Sequence, residues 1–254
     1  MARIISVITQ KGGVGKTTTV NALAATLNKS GRRVLVIDLD PQGNLSFSLG
    51  AEIEDVNTIY NVMRQEVSAL ECIQRCNTAD IIPSNILLSS IELEFTGRNR
   101  EFLLKNALNE VKNLYDYILI DSPPSLGILT VNALSASKYV ILPMLPDIFS
   151  LQGIARVYET IDHVRKSCNP KLGIGGVLVN RYNKRSRLHK EVYGTAQLIA
   201  GKLGIPVFKT VIRNCVSLSE SQSLQCDVTK YGIRATCVKD FQNLTAELIE
   251  RGIF

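Results

Sequence analysis

Residues 10–18 read Gln10-Lys11-Gly12-Gly13-Val14-Gly15-Lys16-Thr17-Thr18. Glycines at three of four consecutive positions let the main chain turn its N–H groups toward an anion. A helix starting at Lys16 adds the positive end of its dipole. In such a loop the second lysine, Lys16, reaches the β- and γ-phosphates of a nucleoside triphosphate, and the Thr17 hydroxyl holds Mg²⁺. The loop departs from the usual phosphate-loop spacing in two ways. Gln10 stands where a first glycine is expected, and Lys11 adds a second positive charge inside the loop.

Two carboxylate segments follow. Asp38-Leu39-Asp40-Pro41-Gln42-Gly43-Asn44 closes one apolar run, and Asp121-Ser122-Pro123-Pro124 closes another. An aspartate at the end of a buried strand points into the crevice where the phosphate loop lies. There it can reach Mg²⁺, directly or through water, or orient a water for in-line attack on the γ-phosphate. Asp121 fits the first role, and the segment that holds Asp38 and Asp40 offers a carboxylate for the second.

The elements that must position these groups are legible from hydropathy. Ile4–Ile8, Arg33–Leu39, Asp116–Asp121, Lys138–Leu145 and Gly173–Asn180 are near-continuous apolar runs, as strands buried on both faces require. Pro206–Ile212 reads as a last short strand. Helical spacing covers about 16–29, 129–137, 151–168, 189–203 and 236–251, with Gly31 stopping the first. Residues 57–113 read as mostly helical, interrupted by the apolar stretch 80–88. Strands alternating with helices predict an α/β fold, a single doubly wound, mostly parallel sheet with helices on both faces. No repeat or linker divides residues 1–254, so one domain is expected. Ligands of such sheets bind at the carboxyl ends of the strands, where the motifs fall.

Composition narrows the functional classes. The net charge is +6 over 254 residues. The first 127 residues carry 12 basic and 14 acidic side chains, and the remainder carries 17 and 9. The basic half suggests an acidic partner. Five of those basic residues lie in 181–190, Arg181-Tyr182-Asn183-Lys184-Arg185-Ser186-Arg187-Leu188-His189-Lys190, with no acid among them. Lys184, Arg185, Arg187 and Lys190 are the candidates for phosphate contacts to nucleic acid, which are salt-sensitive and sequence-independent. Gln10 and Lys11 follow the first apolar run directly, so no secretory leader is expected and the compartment reads as cytoplasmic and reducing. The six cysteines then read as buried or incidental thiols; Cys72 and Cys76 have no matching pair at zinc spacing. No run of about 18 uncharged apolar residues predicts a membrane span.

The loop resembles the deviant phosphate loop, KGGxGKT, of the partitioning and positioning ATPases that include ParA, Soj and MinD. DLDPQGN (38–44) and DSPPSLG (121–127) are similar to the ParA/Soj branch in particular, and looser likenesses run to the C-terminus. This resemblance implies that ATP and Mg²⁺ are bound, with residues Lys11 to Thr18 around the phosphates and Thr17, Asp38 and Asp121 at the metal. It implies that Lys11 crosses the interface of an ATP-bound sandwich homodimer, and that Lys11, Lys16 and Asp40 serve hydrolysis. Asn180 and Arg213 are expected near the adenine. Arg185 matches an arginine implicated in binding nonspecific double-stranded DNA, so a nucleoid-associated partition ATPase stimulated by a ParB-like partner is implied.

Two departures stand out. Ser217 replaces an arginine of the Soj-type pattern, and Tyr231-Gly232-Ile233-Arg234 replaces a tyrosine-aspartate-proline segment. Three other classes are weighed against partition. A MinD-like membrane anchor needs a C-terminal helix with a basic polar face, whereas Asp240, Glu247 and Glu250 predict a helix docked on the body. A nitrogenase-reductase-like carrier needs cysteines flanking the Asp121 region, which are missing. Positioning of another cargo on the nucleoid shares every motif. The chain starts almost at the phosphate-loop strand, so a helix-turn-helix extension and specific repression are not expected.

Overall fold

The computed structural model describes residues 1–254, apart from the side chain of Glu92. Seven strands form one sheet: β1 (Arg3–Val7), β2 (Val34–Asp38), β3 (Gln74–Arg75), β4 (Asp80–Ile82), β5 (Tyr117–Asp121), β6 (Tyr139–Met144) and β7 (Gly173–Val179). Their spatial order is β3-β4-β2-β5-β1-β6-β7. Every pairing is parallel except β3 with β4 at one edge.

The helices are α1 (Lys16–Lys29), α2 (Asn44–Leu49), α3 (Ile59–Met63), α4 (Ile91–Glu94), α5 (Leu103–Ala107), α6 (Ile128–Ala136), α7 (Ile148–Ser167), α8 (Arg187–Lys202), α9 (Val216–Ser223), α10 (Val228–Tyr231) and α11 (Thr236–Glu250). Alternation along β2 divides the core. Leu35 and Ile37 face a layer built from α3, α5, α6, α7 and α8, while Val34 and Val36 face one built from α1, α2 and α11. The doubly wound sheet with helices on both faces is therefore as predicted. Burying a Leu, Ile or Val side chain contributes about 1.5–3 kcal/mol, so these two faces fix the strand register on which the carboxylates depend.

The C-terminal helix docks as its composition predicts. Val238, Phe241, Leu244 and Leu248 are buried, and only Ile249 of the apolar set is exposed. Its acids are also used. Glu247 accepts hydrogen bonds from the Lys209 and Thr210 amides, both at 2.9 Å, and pairs with Arg251.

That same contact corrects one expectation. Residues 206–212 run beside β7 but form only isolated bridges, at Val207 with Val177 and just beyond at Arg213 with Tyr182. Pro206 has no N–H, and after the Phe208 amide has bonded Val177 the Glu247 carboxylate takes the Lys209 and Thr210 amides, so a continuous ladder cannot form. Residues 57–113 are likewise not mostly helical. Their helices are four or five residues long, and Asp80–Ile82 joins the sheet beside β2 with Ile81 and Ile82 fully buried. The apolar interruption thus finds its place by pairing with the edge of β2. Helices α2 and α9 are short and weakly patterned, and the hydropathy reading has no counterpart for them.

Candidate nucleotide site

The phosphate loop leaves β1 and enters α1. Gly13 and Gly15 have φ of +72° and +90°, conformations that L side chains rarely adopt. At Gly15 space forbids a side chain as well, since a Cβ would lie 2.9 Å from Asn180 Nδ2. Gly15 is the N-cap of α1 and no side chain caps it, so the first amides of the helix are available to an anion. Lys16 is buried, with Nζ 3.4 Å from the Lys11 carbonyl oxygen. Burial lowers the pKa of its ammonium, against the opposing pull of Asp121 and Asp40.

The carboxylates meet because their strands pair in register. Asp38 of β2 lies opposite Asp121 of β5, and both are fully buried. Asp121 Oδ2 accepts the Thr17 hydroxyl at 2.6 Å, and Oδ1 accepts the Ser122 amide. Burial, and after it the nearby charge of Asp38, raises the Asp121 carboxyl well above the usual carboxylate range. Asp38 is held from within its own chain. Its oxygens accept the Ser46 amide and hydroxyl and the Asp40 amide, so it holds the turn that aims Asp40. Burial still pushes its pKa up to about 6, against those three hydrogen bonds. Asp40 accepts the Gln42 amide at 3.0 Å and shares a cleft of about 550 Å³ with Gly12, Gly13, Lys16 and Thr17.

A smaller cavity adjoins the loop. Val14, Gly15, Asn180, Ile212, Cys215 and Phe241 are among its walls. Asn180 donates from Nδ2 to the Val14 carbonyl at 2.8 Å, and its buried Oδ1 has no partner. The cavity thus offers apolar walls and one orphaned acceptor, which suits a flat base with an exocyclic amine. Arg213 lines this cavity too. Its guanidinium, however, is held by Asp240, with Nη2–Oδ1 at 2.7 Å and Nε–Oδ2 at 2.9 Å. Its amide also donates to Asp240 Oδ2, at 3.0 Å.

Among the described residues no group of three or more His, Cys, Asp or Glu could enclose a metal ion. Mg²⁺ keeps several waters and binds through one or two protein oxygens plus phosphates. Thr17 Oγ1 and Asp121 Oδ2, 2.6 Å apart, are oxygens that could hold it.

Two expected features lie apart from this cluster. Lys11 extends to α7, where its Nζ is 2.7 Å from Asp147 Oδ2. Lys184, Arg185, Arg187 and Lys190 are exposed at the turn before α8 and in its first turn. Arg187 is paired with Glu191 at 2.8 Å. Basic residues at a helix N-terminus oppose its dipole, so this cluster does not serve helix stability. Ser217 sits in α9, and a Cβ added at Gly232 would lie 3.1 Å from its own Cβ. The two sequence departures are therefore packed against each other.

Several site residues escaped the sequence reading. Arg181 and Gln222 line the main cleft, and Gln222 Oε1 accepts from the Thr18 hydroxyl at 3.3 Å. Gln222 carried no signal, because α9 has no strong hydropathy pattern. Asp147 caps α7, and the preference of N-caps for aspartate is the one signal it carries.

A phosphate loop between the first strand and first helix of such a sheet, with acidic strand ends beside it, defines a P-loop nucleoside triphosphatase. Residues 2–174 match the family described as an AAA domain. The chain is 38% identical over 256 residues to the sporulation initiation inhibitor protein Soj of Bacillus subtilis, covering 99% of this chain and all of Soj. It is 37% identical to the chromosome partitioning protein ParA of Caulobacter vibrioides, over 98% of this chain and 94% of that one. The chain belongs to the ParA/Soj family of partitioning ATPases. Among solved structures it is similar to cobyrinic acid a,c-diamide synthase from Mycobacterium smegmatis with bound ADP and magnesium, at 31% identity and a TM-score of 0.85, covering 99% and 95% of the two chains. A plasmid partition protein from Borrelia burgdorferi superimposes with a TM-score of 0.77 at 27% identity, over 98% and 99%. Among the described residues no helix is long and apolar enough to cross a membrane.

Proposed function

We propose that this chain is a DNA-segregation ATPase that works as one domain in the cytoplasm, on the nucleoid. In this reading ATP lies across the phosphate loop, with its base between Asn180 and Phe241. Lys16 neutralises the β- and γ-phosphates, and Thr17 and Asp121 hold Mg²⁺. When bound, the metal supplies charge neutralisation on the phosphoryl oxygens. Asp40, aimed by Asp38 through its amide, orients the attacking water.

The observation that carries the reading is the unequal burial of the two loop lysines. Lys16 is 7% exposed and committed to its own site, whereas the Lys11 side chain is 38% exposed at the rim. A lysine there can reach a nucleotide held by a second copy of the chain. Two ATP-bound copies would each contribute Lys11 and would present two copies of the basic turn to duplex DNA. Nucleotide then favours the dimer, the dimer favours DNA, and hydrolysis, stimulated by a ParB-like partner, releases both.

Nonspecific duplex binding with ATP and with ADP, in rising salt, tests this. The expected result is ATP-dependent, salt-sensitive binding that is lost in Lys16→Ala and weakened in Arg185→Ala. Asp40→Ala is expected to bind ATP and DNA while turnover falls by about 10²–10⁴. Binding to anionic vesicles without DNA binding would replace this reading with a membrane-positioning one.

A further inference from the structure

Two of the six cysteines face one another. Cys215 precedes α9 and lines the cavity beside Asn180. Cys237 lies in the first turn of α11 and is fully buried. Cys237 Sγ donates to Cys215 Sγ across 2.7 Å. The other contacts formed by cysteines are of a different kind: Cys72 reaches the Thr58 carbonyl and Cys168 the Ser167 hydroxyl.

The surroundings of the two sulfurs are unequal. Partial burial alone would raise the Cys215 thiol. Hydrogen bonds from Cys237 Sγ, the Cys237 amide and Ser217 outweigh it and bring the thiol below its ordinary value. Those amides are at the N-termini of α11 and α9, which favour a thiolate. Burial, together with Cys215, pushes Cys237 up to about 12. The Arg213 guanidinium is close enough to feel both sulfurs. Cys215, partly exposed at the cavity wall, is thus an accessible nucleophile with a protonated thiol held behind it. That is the arrangement of an attacking and a resolving cysteine.

We propose that Cys215 and Cys237 form a redox site that hydrogen peroxide oxidises to a disulfide, tying the wall of the base cavity to the first turn of α11. Cys215 sulfur, as thiolate, attacks one peroxide oxygen and the O–O bond breaks. The departing hydroxide takes up the proton lost by Cys215 and leaves as water, and Cys215 becomes a sulfenic acid. Cys237 sulfur then attacks the Cys215 sulfur. The S–O bond breaks, and the hydroxyl leaves with the Cys237 proton as a second water. The peroxide is reduced by two electrons and the two thiols are oxidised by two. The new bond closes a loop over residues 216–236, the segment whose Leu218 and Gln222 line the two cavities.

The test treats the full chain with hydrogen peroxide and maps its peptides without reduction. The expected product is a monomer about 2 Da lighter, with free thiols falling from six to four and one cross-link, Cys215 to Cys237. A covalent tie of this kind is expected to raise the melting midpoint by roughly 5 °C, reversibly with dithiothreitol. Cys215→Ser and Cys237→Ala should each lose the cross-link, and Cys237→Ala should accumulate the Cys215 sulfenic acid, trapped by dimedone. Sulfinic acid at Cys215 of the parent chain without a cross-link, or a cross-link between other cysteines, would overturn the proposal. Because the mapping uses no nucleotide, its outcome is independent of whether the chain binds ATP.

Discussion

Lys11 Nζ lies 2.7 Å from Asp147 Oδ2, so the first lysine of the phosphate loop is held by the N-cap of α7 in its own chain. Ser150 Oγ is a longer contact at 3.5 Å, and the other Asp147 oxygen accepts the Ser150 amide at 2.8 Å. Asp147 therefore has two jobs, capping a 20-residue helix and holding a lysine. A half-exposed ion pair of this kind contributes about 0–1 kcal/mol, weak enough for the proposed dimer to break it.

Asp147→Asn separates the two jobs. Asparagine caps helices as well as aspartate does, but it does not hold an ammonium by charge. Two such bridges must open per dimer, so the substitution should strengthen the ATP-dependent dimer by roughly threefold to thirtyfold. Sedimentation with Mg²⁺ and a non-hydrolysable ATP analogue measures it. A dimer weakened to the level of Lys11→Ala would show that Asp147 supports Lys11 rather than restrains it.

The register pair Asp38 and Asp121 gives opposite expectations for two similar substitutions. Both carboxyls hold protons more tightly in the folded chain than in the unfolded one, with Asp38 reaching about 6. The folded state then binds more protons over that interval. Without metal and nucleotide, stability should fall as pH rises from the ordinary carboxylate range to about 6. Asp121→Asn removes one buried charge, so it should flatten that slope and raise the melting midpoint at neutral pH while abolishing turnover. Asp38→Asn should lower stability by about 1–3 kcal/mol, because an amide N–H₂ would face the Ser46 or Asp40 donors. Thermal melts at pH 4, 5, 6 and 7 separate the two.

Buried strands and glycine-rich turns were the legible part of this sequence. Leu35, Ile37, Ile118 and Ile120 announce strands because a parallel sheet covered on both faces tolerates only apolar runs. Gly13 and Gly15 announce the loop because their backbone conformations exclude other residues. Short-range pattern fails where a distant group settles the structure. Asp80–Ile82 looks like an interruption among helices until β2 offers it an edge. Pro206–Ile212 looks like a strand until Glu247, some 37 residues on, takes the Thr210 amide. The same holds within the site. Asp38 reads as a support near Mg²⁺ from its position, and what the pattern does not show is that the Ser46 amide and hydroxyl and the Asp40 amide tie it to the turn that carries Asp40.

The basic turn before α8 yields a counting prediction. Each phosphate contact contributes about −0.9 to the slope of log K against log salt. A dimer presents every contact twice, so Arg185→Ala or Lys190→Ala should each make the slope shallower by about 1.8. Arg187 is held by Glu191 at 2.8 Å, so Arg187→Ala should change the slope less. Glu191→Gln should steepen it by freeing Arg187. Fluorescence anisotropy of a labelled duplex between 50 and 200 mM salt, on the order of the range where such slopes are read, decides among these.

Asn180 tests the base cavity. Its Nδ2 donates to Val14 O and to Thr19 Oγ1, at 2.8 and 3.3 Å, which fixes the amide so that Oδ1 is the atom left without a partner. An orphaned buried acceptor costs about 1–3 kcal/mol until something donates to it. The exocyclic amine of adenine is such a donor, whereas guanine presents a carbonyl oxygen at the same ring position and would be repelled. ATP should therefore be preferred over GTP by a factor of ten or more. Asn180→Ala should reduce that preference to a few-fold and weaken ATP itself by about tenfold, measured by competition against a fluorescent ADP. Unchanged selectivity in Asn180→Ala would move the base recognition to the main chain of residues 212–214, the other polar face of the cavity.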